Sequence, residues 1–296
     1  MIDRTGSVQA VRDPGTPEVA TRGALVLDLD REMGAGLPSA DRKTARDACR
    51  GTLLHVSPGP LELSNYATSS DVPMAFVIID GMLCREVALR DSHMLELLGP
   101  GDVIQHIAAS NHDRLGGSVR LTAVTDAQLI ALGQSYLRAA TRWPALLGSL
   151  LERLEAQRAR LAIQGLIAHI PRAEHRLLLV LWHLSALWGR VTPEGTVLSV
   201  PLTHKILAHL VAARRSTVTL AARALAEENY IRRLDDRSWL LTNAAKRKLD
   251  SVARTSENGG RAIAETLLMS IETVAGRNTD KRRARNTEPR QPANNG

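Results

Sequence analysis

The stretch LTHKILAHLVAARRSTVTLAARALAEENYIRRLDDRSWLL, residues 202–241, decides the fold. It holds two short apolar patterns at helical spacing, with two adjacent arginines, Arg214 and Arg215, at the seam between them. Thr203 is suited to cap a helix running to about Leu210, because a threonine oxygen accepts one of the N–H groups that a helix start leaves free. After a short turn, a second helix is expected from about Arg215 through Ala226. Ala208, Ala213, Val218 and Leu225 then fall where two crossing helices bury them. This is helix-turn-helix spacing, in which the N-terminal end of the second helix enters the major groove of DNA. A helix N-terminus favours anions, and an Arg in its first turn can reach phosphate or donate two hydrogen bonds to guanine O6 and N7. The segment NYIRRLDDRSWLLT reads as a two-stranded hairpin, a wing, with Asn229 suited to the left-handed residue that ends the helix. Arg232, Arg233 and Arg237 on it are expected to touch the DNA backbone, and Trp239 to fill the core of the wing.

The charge distribution points the same way. Residues 201–296 carry 18 Lys and Arg against 10 Asp and Glu, whereas the first 200 carry 20 against 21. The basic excess lies entirely in the C-terminal third, the electrostatic footprint of a nucleic-acid-binding portion joined to a neutral one. A basic tail, RNTDKRRARNTEPRQPANNG, contributes. Residues 201–250 alone still carry 10 basic against 5 acidic side chains, so the asymmetry does not depend on the tail.

Working outward, PRAEHRLLLVLWHLSALWGR reads as a core helix, and its most apolar part is too short for the roughly 20 residues of a membrane span. The strand TVLSV follows a turn centred on Gly195. Upstream, the period changes at Trp143-Pro144, Pro being suited to a first helical position. Leu147, Leu150, Leu151, Leu154 and Leu161 then recur at spacings of three and four, on a helix of about 25 residues and roughly 40 Å. That stripe can be covered by the chain's own sheet domain or by the same helix of a second copy, and its length favours a dimer seam. Residues 52–124 have period 2: TLLHV, AFVII, MLCREVAL, HMLELL, DVIQHI and VRLTAV are strand-like, with Asp80-Gly81 a hairpin turn signal between two of them. Ser39 is a candidate cap for a helix through Ala48. Two cysteines, Cys49 and Cys84, are too few for a disulfide framework, and no signal segment opens the chain. A reduced, cytoplasmic protein is expected.

With these elements in order, the chain resembles transcription regulators of the Crp/Fnr family. The resemblance covers about residues 24–243, and is most specific in LTHKILAHLVAARRSTVTLAARAL and in LLGPGDVI at 97–104. It implies an α+β protein: an N-terminal, jelly-roll-like β roll of the cyclic-nucleotide-binding type, a long dimerisation helix and a C-terminal winged helix-turn-helix. The corresponding divisions are a disordered tail at 1–23, an effector domain at 24–142, the dimerisation helix at 143–170, the DNA-binding domain at 171–243 and an extension at 244–296. That extension holds a basic tail and an amphipathic segment, RAIAETLLMSIETVAG. By the family pattern Arg215 reads guanine, Ser216 and Thr219 make secondary base or phosphate contacts, and Thr217 contacts phosphate. Arg214 stands where a capping Ser is common, and Ala212 where the turn usually has glycine, so an alanine forced to positive φ would be strained by about 1 kcal/mol. The implied partners are double-stranded DNA bearing an inverted-repeat operator, a second copy of the chain and RNA polymerase, with no membrane.

The sensor half departs from the members that bind cyclic AMP. Their Gly-Glu and Arg-Ser pairs hold ribose and phosphate, but here the segment reads QHIAASNHDRLGGSV, with no glutamate between Glu96 and Glu152 and with Gly116-Gly117-Ser118 in place of the Arg-Ser pair. Arg114 and Ser118 are the remaining candidates for an effector contact. The adenine-contacting pair on the long helix aligns with Leu161 and Ala162, which cannot supply the hydrogen bonds. Cyclic AMP is therefore not the expected effector. Two cysteines cannot hold an iron–sulfur cluster, and the nine histidines lack HExxH or CxxC company, so no cofactor or metal is expected. No nucleophile elbow, phosphate loop or metal-hydrolase motif suggests an enzyme. A different class of reading keeps the fold but has the winged helix dock a protein partner as a non-catalytic interaction module. Such a docking helix should present an apolar patch, whereas this first turn offers Arg214, Arg215, Ser216 and Thr217.

Overall fold

The computed structural model describes residues 21–66, 72–90, 92–105 and 117–255. In chain order the N-terminal half gives β1 (Thr21–Leu25), α1 (Val26–Leu29), α2 (Ser39–Ala48), β2 (Arg50–Val56), β3 (Gly59–Leu61), β4 (Ala75–Asp80), β5 (Leu83–Leu89), β6 (Ser92–Leu98), β7 (Val103–Gln105), β8 (Gly117–Ala123), β9 (Ala127–Leu132) and α3 (Gln134–Ala140). The long helix α4 (Pro144–Ala168) follows, then α5 (Ala173–Trp188), β10 (Gly189–Thr192), β11 (Gly195–Leu198), α6 (His204–Leu210), α7 (Arg215–Glu227), β12 (Ile231–Arg233), β13 (Trp239–Thr242) and α8 (Asn243–Thr255). The expected succession of sheet domain, long helix and winged helix-turn-helix is present.

Two compact units divide the chain. Among the described residues, the first takes in those within 21–83, 100–105 and 121–150, and the second those within 84–99, 117–120 and 151–255. In the first, an antiparallel sheet has the order β1-β2-β9-β4-β7. Its middle strands pair Val77 with Ile130 and Ile78 with Leu129, and all four side chains are fully buried. A strand buried on both faces loses the alternation that marks a half-exposed one, which is why AQLIAL escapes a period-2 reading. β3 pairs with the end of β8, Leu61 opposite Leu121. The Asp80-Gly81 turn does not close a hairpin: β4 pairs with β7 and β9, and β5 lies in the other sheet. Gly81, at φ +85°, is required there all the same, since a Cβ would meet the Asp126 carbonyl at 2.3 Å. Ser39 opens α2 from inside its first turn; Pro38 occupies the cap position, which has no side-chain hydrogen bond.

In the second unit, β5 and β6 lie beside the start of β8. Glu96 is buried on β6, and its Oε2 accepts from Arg85 Nε at 2.8 Å. The winged domain packs on α5, whose Leu177, Leu178, Val180, Leu181 and Leu184 are buried. His183 is buried among them, and burial, together with the charge of Arg160, pushes its imidazole down to about 4. An antiparallel sheet of order β10-β11-β13-β12 closes the domain. Gly195, at φ +149°, admits no side chain, because a Cβ would lie 2.0 Å from the Leu241 carbonyl.

Along α4, Leu146, Gln157, Ile163 and Ile167 are buried. The leucine stripe faces another way: Leu147, Leu150, Leu154 and Leu161 are half-buried and Leu151 is 66% exposed. Among the described residues no helix is long and apolar enough to cross a membrane. The N-terminal tail before residue 21, the amphipathic segment 261–276 and the basic tail lie outside the described residues.

Candidate nucleic-acid interface

Thr203 starts the helix-turn-helix as its sequence suggests. Its hydroxyl oxygen accepts from the Ile206 N–H at 3.2 Å, and Leu207, Ala208 and Leu210 bury the inner face of α6. The turn is set by two backbone bonds, Val211 N–H to the Leu207 carbonyl and Ala213 N–H to the Ala208 carbonyl, each 2.9 Å. Ala212 sits between them at φ 48°. The strained alanine expected from its place in the turn is thus a feature of the fold, at a position that is exposed and has no packing to lose. Arg214 takes the cap position of α7 in extended conformation and makes no side-chain cap hydrogen bond.

Val218, Ala221, Ala222 and Leu225 form the buried face of α7. Small alanines here let α7 approach its neighbours closely, while a β-branched and a γ-branched residue fill the ends of the contact. The opposite face presents Arg215, Ser216, Thr219, Leu220 and Arg223 to solvent, while Thr217 is half-buried beside the core. Asn229 ends the helix at φ 57°, and the Tyr230 N–H returns to the Leu225 carbonyl at 2.9 Å. This is the left-handed stop that Asn229 suggested.

The wing arginines are placed in three different ways. Arg232 pairs with Glu194 at 2.5 Å, both exposed. Arg233 lies over the Trp239 ring, 4.5 Å from its centroid, and donates to the Leu202 carbonyl at 2.9 Å. Burial, with the nearby Arg237, lowers the Arg233 guanidinium from its ordinary value. Arg237 is exposed at the tip, at φ 63°. Trp239 is buried and donates its indole N–H to the same Leu202 carbonyl at 3.3 Å, so it is wing core.

His204, passed over in the sequence, joins the pieces. The Thr219 hydroxyl donates to the Arg215 carbonyl at 3.0 Å, so its oxygen accepts from His204 Nδ1, 3.0 Å away. Burial, then the charges of Arg233 and Arg215, hold this imidazole below its ordinary value. The signal was its position: the first helical residue of α6, next to the cap. Leu220 was also missed, since a leucine inside a helical pattern is first assigned to the core.

Of the two effector candidates, Ser118 is exposed on β8, and Arg114 lies outside the described residues. Among the described residues no three His, Cys, Asp or Glu side chains gather in a way that could hold a metal.

A family model described as a Crp-like helix-turn-helix domain matches residues 175–246. Those residues are similar to Crp-like helix-turn-helix domains. The match spans α5 through the start of α8 and takes in every element of the interface just described. The Crp fold extends beyond it over most of the chain. A CooA variant from Carboxydothermus hydrogenoformans superposes with a TM-score of 0.55 at 18% identity, over 77% of this chain and 95% of its own. A cyclic nucleotide-binding domain containing protein from Listeria monocytogenes gives 0.54 at 17%, over 73% and 98%. FixK2 from Bradyrhizobium japonicum gives 0.52 at 15%, over 66% and 94%. No curated protein matches the chain. The Crp-like helix-turn-helix match supports a DNA-binding transcription regulator.

Proposed function

We propose that the protein is a cytoplasmic homodimer that binds an inverted-repeat operator through two copies of α7. The observation that carries this is the outward first turn of that helix. Arg214, Arg215 and Ser216 are exposed at its N-terminus, and among the described residues neither arginine is paired with a carboxylate. A helix N-terminus with two free guanidiniums attracts the phosphate backbone and can read a base edge in the same approach. Arg215, inside the helix, is the guanine reader. Arg214, extended at the cap, is a phosphate contact, as are Thr203 and Thr217. Ser216 and Thr219 supply secondary contacts, with Thr219 oriented by His204. In the wing, Arg237 is the freest backbone contact, Arg232 must first leave Glu194, and Arg233 serves mainly to brace Leu202 and Trp239. The dimer seam is the stripe Leu147, Leu150, Leu151, Leu154 and Leu161. Its two-fold axis sets the recognition helices about 34 Å apart and requires dyad symmetry in the operator. The effector is not cyclic AMP, and Ser118 with Arg114 marks where another small anion would be held.

Selection of bound duplexes from a random pool, followed by sequencing, tests this directly. A motif of two inverted half-sites with centres about 10 base pairs apart, or a multiple of that, is expected. Bound sequences without dyad symmetry would remove the dimer. Absence of any enriched motif would remove sequence-specific reading and favour protein docking.

A further inference from the structure

We infer that Leu220 is a specificity-determining residue that reads the C5-methyl group of a thymine in the major groove, an inference that rests on the DNA-binding reading above. Leu220 is 68% exposed. At about 100° per residue it lies roughly 200° round the helix from the buried Val218, on the outermost stripe, between Ser216 and Arg223. Its side chain therefore projects straight away from the domain core, and nothing in the winged domain covers it. The residues round it on that face are polar: Ser216 one turn before, Thr219 beside it, and Arg223 one turn after, the last held by Glu227 at 2.8 Å. An isolated apolar side chain at the centre of a polar reading face has one apolar partner among the base edges that α7 would meet, the thymine methyl.

The spacing fits. Leu220 lies five residues beyond Arg215, about 7.5 Å along the helix, or roughly two base-pair steps at about 3.4 Å each. Arg215 thus covers a guanine, and Leu220 a thymine about two steps away in the same half-site. The short Ser216 and Thr219 side chains beside it leave the leucine free to reach the groove floor.

The test uses the full-length protein and its selected operator. Each thymine of a half-site is replaced in turn by deoxyuridine, which differs only by the missing methyl. At one position, about two steps from the Arg215-dependent guanine, wild type should lose about fourfold per half-site and about 15-fold for the symmetric duplex, the worth of one buried methyl group. Leu220→Ala should bind thymine and deoxyuridine duplexes equally, closing a double-mutant cycle on the methyl. Leu220→Arg, selected afresh, should move the preference at that position from thymine towards guanine. Since Leu220 is exposed, both variants should keep the thermal stability of wild type. If wild type and Leu220→Ala are equally sensitive to deoxyuridine, or wild type is indifferent at every thymine, the assignment to Leu220 is overturned while reading by Arg215 stands. If wild type enriches no duplex at all, the DNA reading beneath it falls as well.

Discussion

Acid should loosen the winged domain through one buried imidazole. His183 is 8% exposed on α5, and burial, with Arg160 as a second cause, pushes it from its ordinary value down to about 4. Because the folded state binds a proton less readily than the unfolded chain, this histidine costs nothing at neutral pH. The cost appears as pH falls through the unfolded value near 6.5 and is complete only below the folded value. At about 1.4 kcal/mol per pH unit the loss should reach about 2 kcal/mol at pH 5 and about 3 kcal/mol at pH 4. His175 and His204 are also lowered, chiefly by burial, and act with the same sign. The assay is urea denaturation from pH 8 to pH 4 for wild type and His183→Leu. The variant removes the titrating group, so its acid limb should be shallower by about 3 kcal/mol whatever packing change shifts its absolute stability. Parallel limbs for the two proteins would refute the reasoning, because His183 would then be able to take up a proton in the folded state.

The remaining predictions concern the interface. Arg215→Ala should relax preference at one symmetric pair of operator positions, costing roughly 1 to 3 kcal/mol of discrimination, as measured on operators permuted at each position. Arg214→Ala should weaken operator and scrambled duplex alike and shallow the slope of log affinity against log salt by about 1 for each phosphate no longer neutralised. Ala212→Gly should raise the thermal midpoint, since about 1 to 2 kcal/mol of left-handed strain is relieved against about 0.4 to 1 kcal/mol of added chain freedom; a lower midpoint would show that the alanine is unstrained. Replacing Leu150 and Leu154 with Glu should give monomers by sedimentation that lose operator affinity, and a persisting dimer would place the seam elsewhere.

The parts of this chain legible from sequence are those governed by local chemistry. Thr203 caps, Asn229 stops a helix and Ala212 strains a turn because each responds to backbone within a few residues of itself. The interface inherited that legibility, being built on one helix start. The sheet half was less open. The strand at Ala127–Leu132 is buried on nearly every side chain, and its partners come from distant sequence, so no local period announces it. Asp80-Gly81 signals a turn correctly but cannot say that the strands on either side belong to different sheets. His204, Arg233 and Leu220 were opaque for a related reason. The first two take their roles from a residue more than a dozen positions away, Thr219 for one and Leu202 for the other. The third depends on which way a whole helix turns.

The most direct test of sequence-specific DNA reading is the ratio of affinities for the selected operator and a scrambled duplex of equal length, titrated at one physiological salt concentration. Taking the ratio at one salt concentration cancels the phosphate contribution that a basic chain makes to any duplex. A ratio of at least about 1,000 is expected of a regulator that reads base edges through paired recognition helices. A ratio within a few-fold of one would contradict it, leaving a basic protein that holds DNA without reading it.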